Sequence, residues 1–274
     1  MSDKSFVDLS GNSLVNINLE KLPDSVDKSI GNLTNDGSYW VGKIIGAAAK
    51  FVYATVGKRL DIYSERTLEK LEEFKKEAVE QINNIPLERR IEPSIDVVNS
   101  IVDGVGFCLD EDELRTGFAN LLAASVDSKR KNGLLKVHAQ ILKSLCSDEA
   151  KILCVLAEYF VYGFVSIAKG DTANGMNVVV LRQLFTNLGD VAGCKERELT
   201  SSYIKHLEVL GLIEIKDIER LSDAHAYEEI KNMDEFKRIE RHIEEEGKKI
   251  MVTEGVVRIT DLGLNFVKSC GLLV

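Results

Sequence analysis

The chain has 274 residues, of which 45% are hydrophobic and 29% charged, proportions that are typical of a soluble globular protein. This length is too great for one small core and favours two modest domains, or one domain with extensions. The formal net charge of −9 argues against a general affinity for nucleic acid, because contact with phosphates needs clustered Lys and Arg.

Residues 1–37 mix Ser, Asn, Asp and Gly with scattered apolar positions, so we expect a loosely structured N-terminal segment. The segment lacks the basic and then apolar pattern of a secretory signal, which favours a cytoplasmic protein. Attachment to the inner face of the membrane is the alternative location. The five cysteines include no C-x-x-C pair, as is common in a reducing compartment. We therefore expect no disulfide, no metal and no cofactor.

A long amphipathic helix is predicted over residues 38–85, beginning after Ser38 as its cap and ending before Pro86. Within residues 42–62 a narrow basic stripe lies opposite a wide apolar arc, and three glycines flank the stripe. The stripe contains Lys43, Lys50 and Lys58, and the flanking glycines are Gly42, Gly46 and Gly57. Farther along, apolar residues at three- and four-residue spacing are typical of a long helix or a short coiled-coil arm.

Three environments suit the 42–62 helix. Glycines four residues apart permit the close approach of a second helix, so we expect the apolar arc to pack on the protein's own core or on an identical chain. Binding to a membrane surface is the second interpretation, since basic side chains attract anionic headgroups. A membrane-spanning helix is the least favoured, because Lys43 and Lys50 would then lie near the middle of the bilayer.

Residues 86–147 are predicted to form a helical core domain of three helices. The three helices cover about 93–105, 110–128 and 134–145. Gly104 and Gly106 interrupt the helical pattern, and we expect the first helix to end there.

The second helix of this domain has a distinct start and a distinct apolar face. Asp110 is placed to cap it, with Glu113 three positions on in a capping-box arrangement. On its apolar face we expect Leu121, Leu122 or both to be fully buried. Ser147 is predicted to cap the helix that follows the domain.

The last part of the chain, 148–274, is predicted to be a winged-helix-like domain with a small β wing. Its predicted elements are a helix over 149–168, a strand running into a helix over 177–188, a helix broken at Gly211, a strand, two short β stretches with a turn at Glu254-Gly255, and a helix after Thr260. The highly charged residues 220–248 predict an exposed helix inserted in the wing. The fold class that we predict is therefore mainly α, with a small β component at the C-terminal end.

Two passages, 90–127 and 136–153, resemble the core of the abortive infection alpha family. An acidic helix start, an "LLA" helix, a Val-His pair, an "ILK-L" run and an "S-D-EAK-L" run carry the resemblance. The matching residues include Glu111, Asp112, Glu113, Leu114, Asn120, Leu121, Leu122, Ala123, Val137, His138, Ile141, Leu142, Lys143, Leu145, Ser147, Asp148, Glu149 and Ala150. Ala139 stands where family members often have Pro. The resemblance implies a role in bacterial defence against phage, by stopping growth or killing the infected cell, and implies no enzymatic activity.

Catalytic patterns are weak in this chain. There are four histidines and no H-E-x-x-H, G-x-S-x-G or P-loop motif. His138 lies among apolar residues, and we expect a hydrogen-bonded histidine in the core or at an interface rather than a catalytic base. Glu214 and Lys216 resemble the E-x-K end of a nuclease site, but that chemistry needs a further carboxylate on an adjoining strand. The acidic run 110–113 is more typical of a helix start than of a cation site. We expect no enzyme.

The predicted recognition helix of the winged-helix-like domain carries weak candidates for nucleic-acid contact. These are Lys195, Arg197, Ser201, Tyr203 and Lys205. Residues 151–274 contain 16 Lys and Arg against 20 Asp and Glu, a net charge of −4, which disfavours DNA. We expect a non-enzymatic antiphage protein that self-associates, as a homo-oligomer, and binds a protein partner or phage component whose identity the sequence leaves open. The alternatives are a DNA-binding regulator and a membrane-active toxin that uses the 42–62 helix.

Overall fold

The computed structural model describes residues 65–171 and 178–272. The predicted N-terminal segment 1–37 and residues 38–64 of the predicted helix over 38–85 lie outside the described residues. The candidate packing and membrane-surface residues lie outside them too, namely Gly42, Lys43, Gly46, Lys50, Gly57 and Lys58.

The described chain is mainly helical with one small sheet, as the sequence predicts. The helices are α1 (Glu65–Asn83), α2 (Ile95–Cys108), α3 (Asp112–Ser125), α4 (Val137–Ser144), α5 (Ser147–Tyr159), α6 (Leu188–Val191), α7 (Thr200–Val209), α8 (His225–Lys231), α9 (Asp234–Glu245) and α10 (Asp261–Cys270). The strands are β1 (Val161–Gly170), β2 (Val179–Phe185), β3 (Ile213–Lys216) and β4 (Lys249–Ile259). None of the described helices is long and apolar enough to cross a membrane.

Helix α3 lies at the centre of the helical part and contacts α1, α2, α4, α5 and α10. Its apolar face is fully buried, and Leu121 and Leu122 are both 0% exposed, which confirms the expected core positions. On α1, the expected apolar seam is also buried at Leu71, Phe74, Ala78 and Ile82. One continuous buried cluster contains residues from both sides of the predicted boundary after residue 147. The division into domains stays a prediction.

Gly104 has a different role from the one that the sequence suggests. Helix α2 does not end near residue 105 but continues through Gly104 and Gly106 to Cys108. A Cβ on Gly104 would lie 2.5 Å from Cζ of Phe118, whose ring is fully buried on α3. The missing side chain therefore lets α3 pack against the backbone of α2.

The prediction of a helix over 149–168 is wrong in its second half. Helix α5 ends at Tyr159, and Phe160 adopts a positive φ of 64° before β1 begins. From residue 161 the chain is rich in β-branched and aromatic side chains, which suit a strand when a neighbouring strand is present. Here β4 supplies that neighbour, pairing antiparallel with β1 from Val161 opposite Arg258 to Gly170 opposite Lys249.

The predicted turn at Glu254-Gly255 is also wrong, because β4 is one continuous strand. Gly255 lies opposite Phe164 of β1, and a Cβ on this glycine would be 2.4 Å from Cζ of that ring. The glycine thus makes room for a buried aromatic ring across the sheet rather than for a turn. The predicted helix after Thr260 is confirmed as α10, and the Thr260 hydroxyl accepts the N–H of Gly263 (3.0 Å).

The sheet is antiparallel with the order β2-β1-β4-β3. The charged segment between β3 and β4 forms two helices, α8 and α9, where the sequence suggests one exposed helix. Each helix has a buried side that packs on the sheet. A second buried cluster comprises Val165, Ile167, Phe185, Tyr227, Ile230, Phe236 and Ile243.

Candidate protein-interaction site

The start of α5 carries the "S-D-EAK" run and joins the helical part of the molecule to α7. Glu149 is buried, with its side chain 5% exposed. Its Oε2 accepts the backbone N–H of Cys146 (2.9 Å), and its Oε1 lies 2.6 Å from Nδ1 of His206 on α7. The N-cap residue of α5 is therefore Cys146 and not the predicted Ser147, and Glu149 both completes this cap and links α5 to α7.

Asp148 makes a second link at the same place. Its Oδ1 and Oδ2 accept the backbone N–H groups of Lys195 (3.0 Å) and Glu196 (2.9 Å), just before α7. Burial by itself raises the pKa of this carboxyl, but the N–H groups of Glu196 and Lys195 and the ammonium of Lys151 outweigh it and hold the pKa below its usual range. The carboxylate stays ionised and holds the segment that leads into α7.

The acidic run 110–113 is used for similar structural contacts. Glu111 occupies the N-cap position of α3 rather than Asp110, and its Oε2 accepts the N–H of Ser147 (2.7 Å). Asp112 accepts a hydrogen bond from the buried Arg115 (2.6 Å), and this bond is the main cause of its lowered pKa. No group of three or more His, Cys, Asp and Glu in the described parts of the chain is arranged to hold a metal ion.

The cysteines of this chain are buried or half-buried thiols. All five are free, and burial raises the pKa of Cys108, Cys154 and Cys194 to about 11. A thiol with such a pKa is protonated at neutral pH and is a poor nucleophile.

The five candidate residues for nucleic-acid contact lie on α7 and on the segment just before it. Lys195, Arg197 and Lys205 are exposed, while Ser201 and Tyr203 are half-buried. Arg197 pairs with Asp190 (2.7 Å) and Lys205 with Glu208 (3.0 Å), so acidic neighbours compensate two of the three cations. Burial, and then the neighbouring Cys146 and Asp148, raise the pKa of Tyr203 to about 12. Tyr203 thus faces the start of α5.

A cleft of about 220 Å³ opens at the N-terminal end of α7, between β2 and the start of α9. Its charged and hydroxyl lining includes Arg182, Asp190, Arg197, Glu198, Ser201 and Glu235. Arg182 pairs with Glu235 across the cleft (3.4 Å), so both arginines already face a carboxylate. Leu184 in the wall has a positive φ of 54°, which non-glycine residues rarely adopt and which recurs at binding sites.

The lining of this cleft mixes both signs of charge with hydroxyl groups. Such a surface suits the polar, mixed-charge face of another protein better than a polyphosphate chain. Arg197 and Ser201 are the two sequence candidates that line the cleft. Arg182 and Glu235, which are 53 positions apart, gave no signal in the sequence because folding alone brings them together.

A match to a known protein family covers the residues of this site. The sequence profile of the abortive infection alpha family matches residues 66–270, which is most of the chain and includes α5, α7 and the cleft. The chain belongs to the abortive infection alpha family. No curated protein matches it significantly.

Among solved structures, the abortive infection alpha chain is similar to an uncharacterized protein from the hydrocarbon-degrading marine bacterium Alcanivorax borkumensis SK2. The two are 21% identical, with a TM-score of 0.33. The match covers 49% of this chain and 92% of that one.

In this abortive infection alpha chain the histidine of the Val-His pair lies in the core. His138 is 0% exposed, and its ring lies edge-on to Phe266 at 5.7 Å between centroids. The expected burial is confirmed, but the expected hydrogen bond is not, since neither ring nitrogen has a partner within the described residues. Burial lowers the pKa of His138 to about 4, so the ring is neutral at physiological pH.

The structure also accounts for the E-x-K pair of this family member. Glu214 and Lys216 lie on β3 with Oε2 and Nζ 2.8 Å apart, and the hydrogen bond from Lys216 lowers the pKa of Glu214. Directly across from Glu214 on β4 is Arg258, where a nuclease site would need a carboxylate. The pair is a surface ion pair in this arrangement.

Proposed function

We propose that this chain is an antiphage defence protein of the abortive-infection type, which acts through contacts with proteins rather than through chemistry of its own. The match of the abortive infection alpha family to residues 66–270 carries this proposal. The roles of the motif residues support it. Backbone N–H groups near helix starts are accepted by Glu149, Asp148 and Glu111, so these three residues have a structural role.

We also propose that the region from α5 to α10 is a variant of the winged-helix fold. The order α5, β1, α6, α7, β3, β4 supports this assignment, as does the position of β4 between β1 and β3. In this assignment β2 is an addition at the sheet edge, and α8 and α9 are an insertion between β3 and β4. Helix α7 then takes the place of the recognition helix.

For α7 we favour a protein partner over DNA. Arg197, just before α7, and Lys205, within it, each contact a carboxylate, and the net charge of residues 151–274 is −4. Fluorescence anisotropy with labelled duplex DNA distinguishes a protein-binding α7 from a DNA-binding one. We expect no salt-sensitive complex at sub-micromolar protein, and a tight complex that Arg197→Gln weakens would establish the regulator instead.

The membrane alternative concerns the basic stripe Lys43, Lys50 and Lys58, outside the described residues. We expect the full-length protein to stay in the supernatant when anionic liposomes are sedimented. Sedimentation with the liposomes, lost when all three lysines are changed to Gln, would instead favour the membrane-active toxin.

A phage challenge tests the defence role itself. Bacteria that express the full chain are infected with a panel of phages at a low and at a high ratio of phage to cell. Abortive infection protects the culture at the low ratio and lets it collapse at the high ratio, because each infected cell is sacrificed. A matched control expresses Leu121→Asp, which places a charge at a fully buried core position. Equal plaque numbers for the two strains on every phage would contradict the proposal.

A further inference from the structure

Six cations lie close together where the loops that follow α1 and α3 meet the end of α10. Residues 89–91 run antiparallel to residues 126–128, joined by two backbone hydrogen bonds of 2.8 and 2.9 Å. From the second loop, Arg130 donates a hydrogen bond to the carbonyl of Ser269 near the end of α10 (3.2 Å). We call the following six residues the basic patch: Arg89, Arg90, Lys129, Arg130, Lys131 and Lys268.

Ion pairs neutralise little of the charge of the basic patch. Among the described residues, one carboxylate forms an ion pair with it, that of the buried Asp127, which pairs with Arg89. Arg90 donates instead to the carbonyls of Ile85 (3.0 Å) and Asn83 (3.4 Å) at the end of α1. Five of the six cations therefore lack a carboxylate partner in the part of the chain that the structure describes.

The lysines of the basic patch are open to solvent. Lys129, Lys131 and Lys268 are all exposed. The arginines beneath them lie close enough to repel each other, since burial lowers the pKa of Arg130 and the charge of Arg89 lowers it further. Like charges held this close favour an added anionic group, which would relieve their repulsion.

An exposed aliphatic side chain adjoins these cations. Leu87 is 64% exposed and lies in the short turn Leu87–Arg89, where its carbonyl accepts the N–H of Arg90 (3.1 Å). A single exposed leucine is common on a protein surface, but this one lies beside charges that have no partner. Such a surface is complementary to carboxylates arranged around an apolar side chain.

Two observations favour an acidic protein segment over nucleic acid at the basic patch. All three of its arginines already bond to groups of the chain itself, whereas paired contacts with phosphate need a free guanidinium. The net charge of the whole chain is −9, so a long polyanion is repelled wherever it extends beyond the patch. A short acidic segment ends within the patch and is attracted by the local cations, because solvent screens the more distant charges.

We propose that the basic patch binds an acidic segment of a partner protein, with Leu87 as the apolar contact beside the cations. The partner segment presents Asp or Glu side chains to Lys129, Lys131 and Lys268, and one apolar side chain to Leu87. The inference rests on the proposed function in one respect, namely that the chain acts through contacts with proteins. It adds a second surface, remote from the cleft at α7 in the sequence, and the chemistry of the partner that this surface fits.

The test is fluorescence anisotropy of the full-length protein with a labelled peptide of glutamates around one central leucine. We expect a complex that added salt weakens, and no complex with the peptide in which Gln replaces Glu. Lys129→Glu combined with Lys131→Glu should raise the dissociation constant by about tenfold or more. The matched control is Lys237→Glu combined with Arg238→Glu, which changes the net charge equally at exposed positions of α9, on the sheet. It should leave the dissociation constant unchanged.

Two further variants make the test more specific. Leu87→Gln should weaken binding of the peptide with the central leucine and leave binding of an all-glutamate peptide unchanged, because only the apolar contact is lost. Lys129→Gln combined with Lys131→Gln replaces the charge reversal if that variant folds poorly by circular dichroism. It should raise the dissociation constant in the same direction by a smaller factor.

Three outcomes would overturn the proposal. One is the absence of any complex with the glutamate peptide at the highest soluble protein concentration. Another is an equal loss of affinity in the patch variant and in the α9 control, which would show an effect of net charge alone. The third is a tighter complex with duplex DNA or single-stranded RNA that the patch variant loses, which would make the patch a nucleic-acid site. Binding is measured without phage, so a failed peptide test and a failed phage challenge are independent results.

Discussion

His138 gives this chain a pH dependence of stability that can be worked out in advance. The folded protein holds the ring neutral, because its pKa falls from 6.5 to about 4 on burial. The unfolded chain keeps a pKa near 6.5 and takes up a proton as the pH falls below that value. Stability from this residue is therefore complete above about pH 6.5 and is lost as the pH falls toward 4.

The size of the effect follows from the two pKa values. At about 1.4 kcal/mol for each unit, the full shift corresponds to about 3 kcal/mol, of which about 2 kcal/mol disappears between about pH 7 and pH 5. Other groups titrate over the same range, so the wild type alone does not isolate this residue. The difference between the wild type and His138→Phe does, because Phe keeps a ring of similar shape and carries no ionisable group.

Urea unfolding at the two pH values measures the free energy directly. We expect the wild type to lose about 2 kcal/mol more than His138→Phe between about pH 7 and pH 5. At neutral pH the variant should be as stable as the wild type or more so, because two buried nitrogens without partners are removed. His225→Phe, at an exposed histidine, should follow the wild-type pH profile. Identical pH profiles for the wild type and His138→Phe would refute the reasoning.

Three further predictions concern the helical part. Leu121→Ala should lower the free energy of unfolding by about 2–5 kcal/mol in urea titrations, and unchanged unfolding would show that α3 is not core. Gly104→Ala should lower the free energy of unfolding by about 1–3 kcal/mol, because the new methyl group meets the Phe118 ring. The control Asn99→Ala, on the exposed side of α2, should leave the melting temperature unchanged or raise it. Arg115→Met should lower the free energy of unfolding by about 2–4 kcal/mol, because it leaves the carboxylates that pair with this buried guanidinium, on α1 and α3, without their partner. An unchanged melting temperature would contradict this.

The helices that bury one regular apolar stripe could be predicted from the sequence. The seam Leu71, Phe74, Ala78 and the "LLA" face of α3 both follow helical spacing, and both are buried. Strand β1 could not be predicted in the same way. Its residues continue the apolar character of α5 without a break, and the change to a strand depends on β4, which lies about ninety positions farther along the chain.

The roles of two glycines could not be predicted either, because the role of a glycine depends on which side chain packs against it in the fold. Gly104 and Gly255 have the local appearance of a helix end and a turn, but each leaves room for the ring of a distant phenylalanine. The candidate site has the same limitation. Its acidic residues stand out in the sequence, but their partners, such as the N–H of Lys195 for Asp148, are set by tertiary contacts alone.

Sacrifice of the infected cell is the central feature of the proposed function, and counting infective centres tests it most directly. Cells that express the chain are infected with a phage it restricts, washed, and plated both for phage release and for colony formation. Membership of the abortive infection alpha family predicts that few infected cells release phage and that few of them form colonies. Normal phage release from the infected cells, or their survival as dividing colonies, would contradict the account.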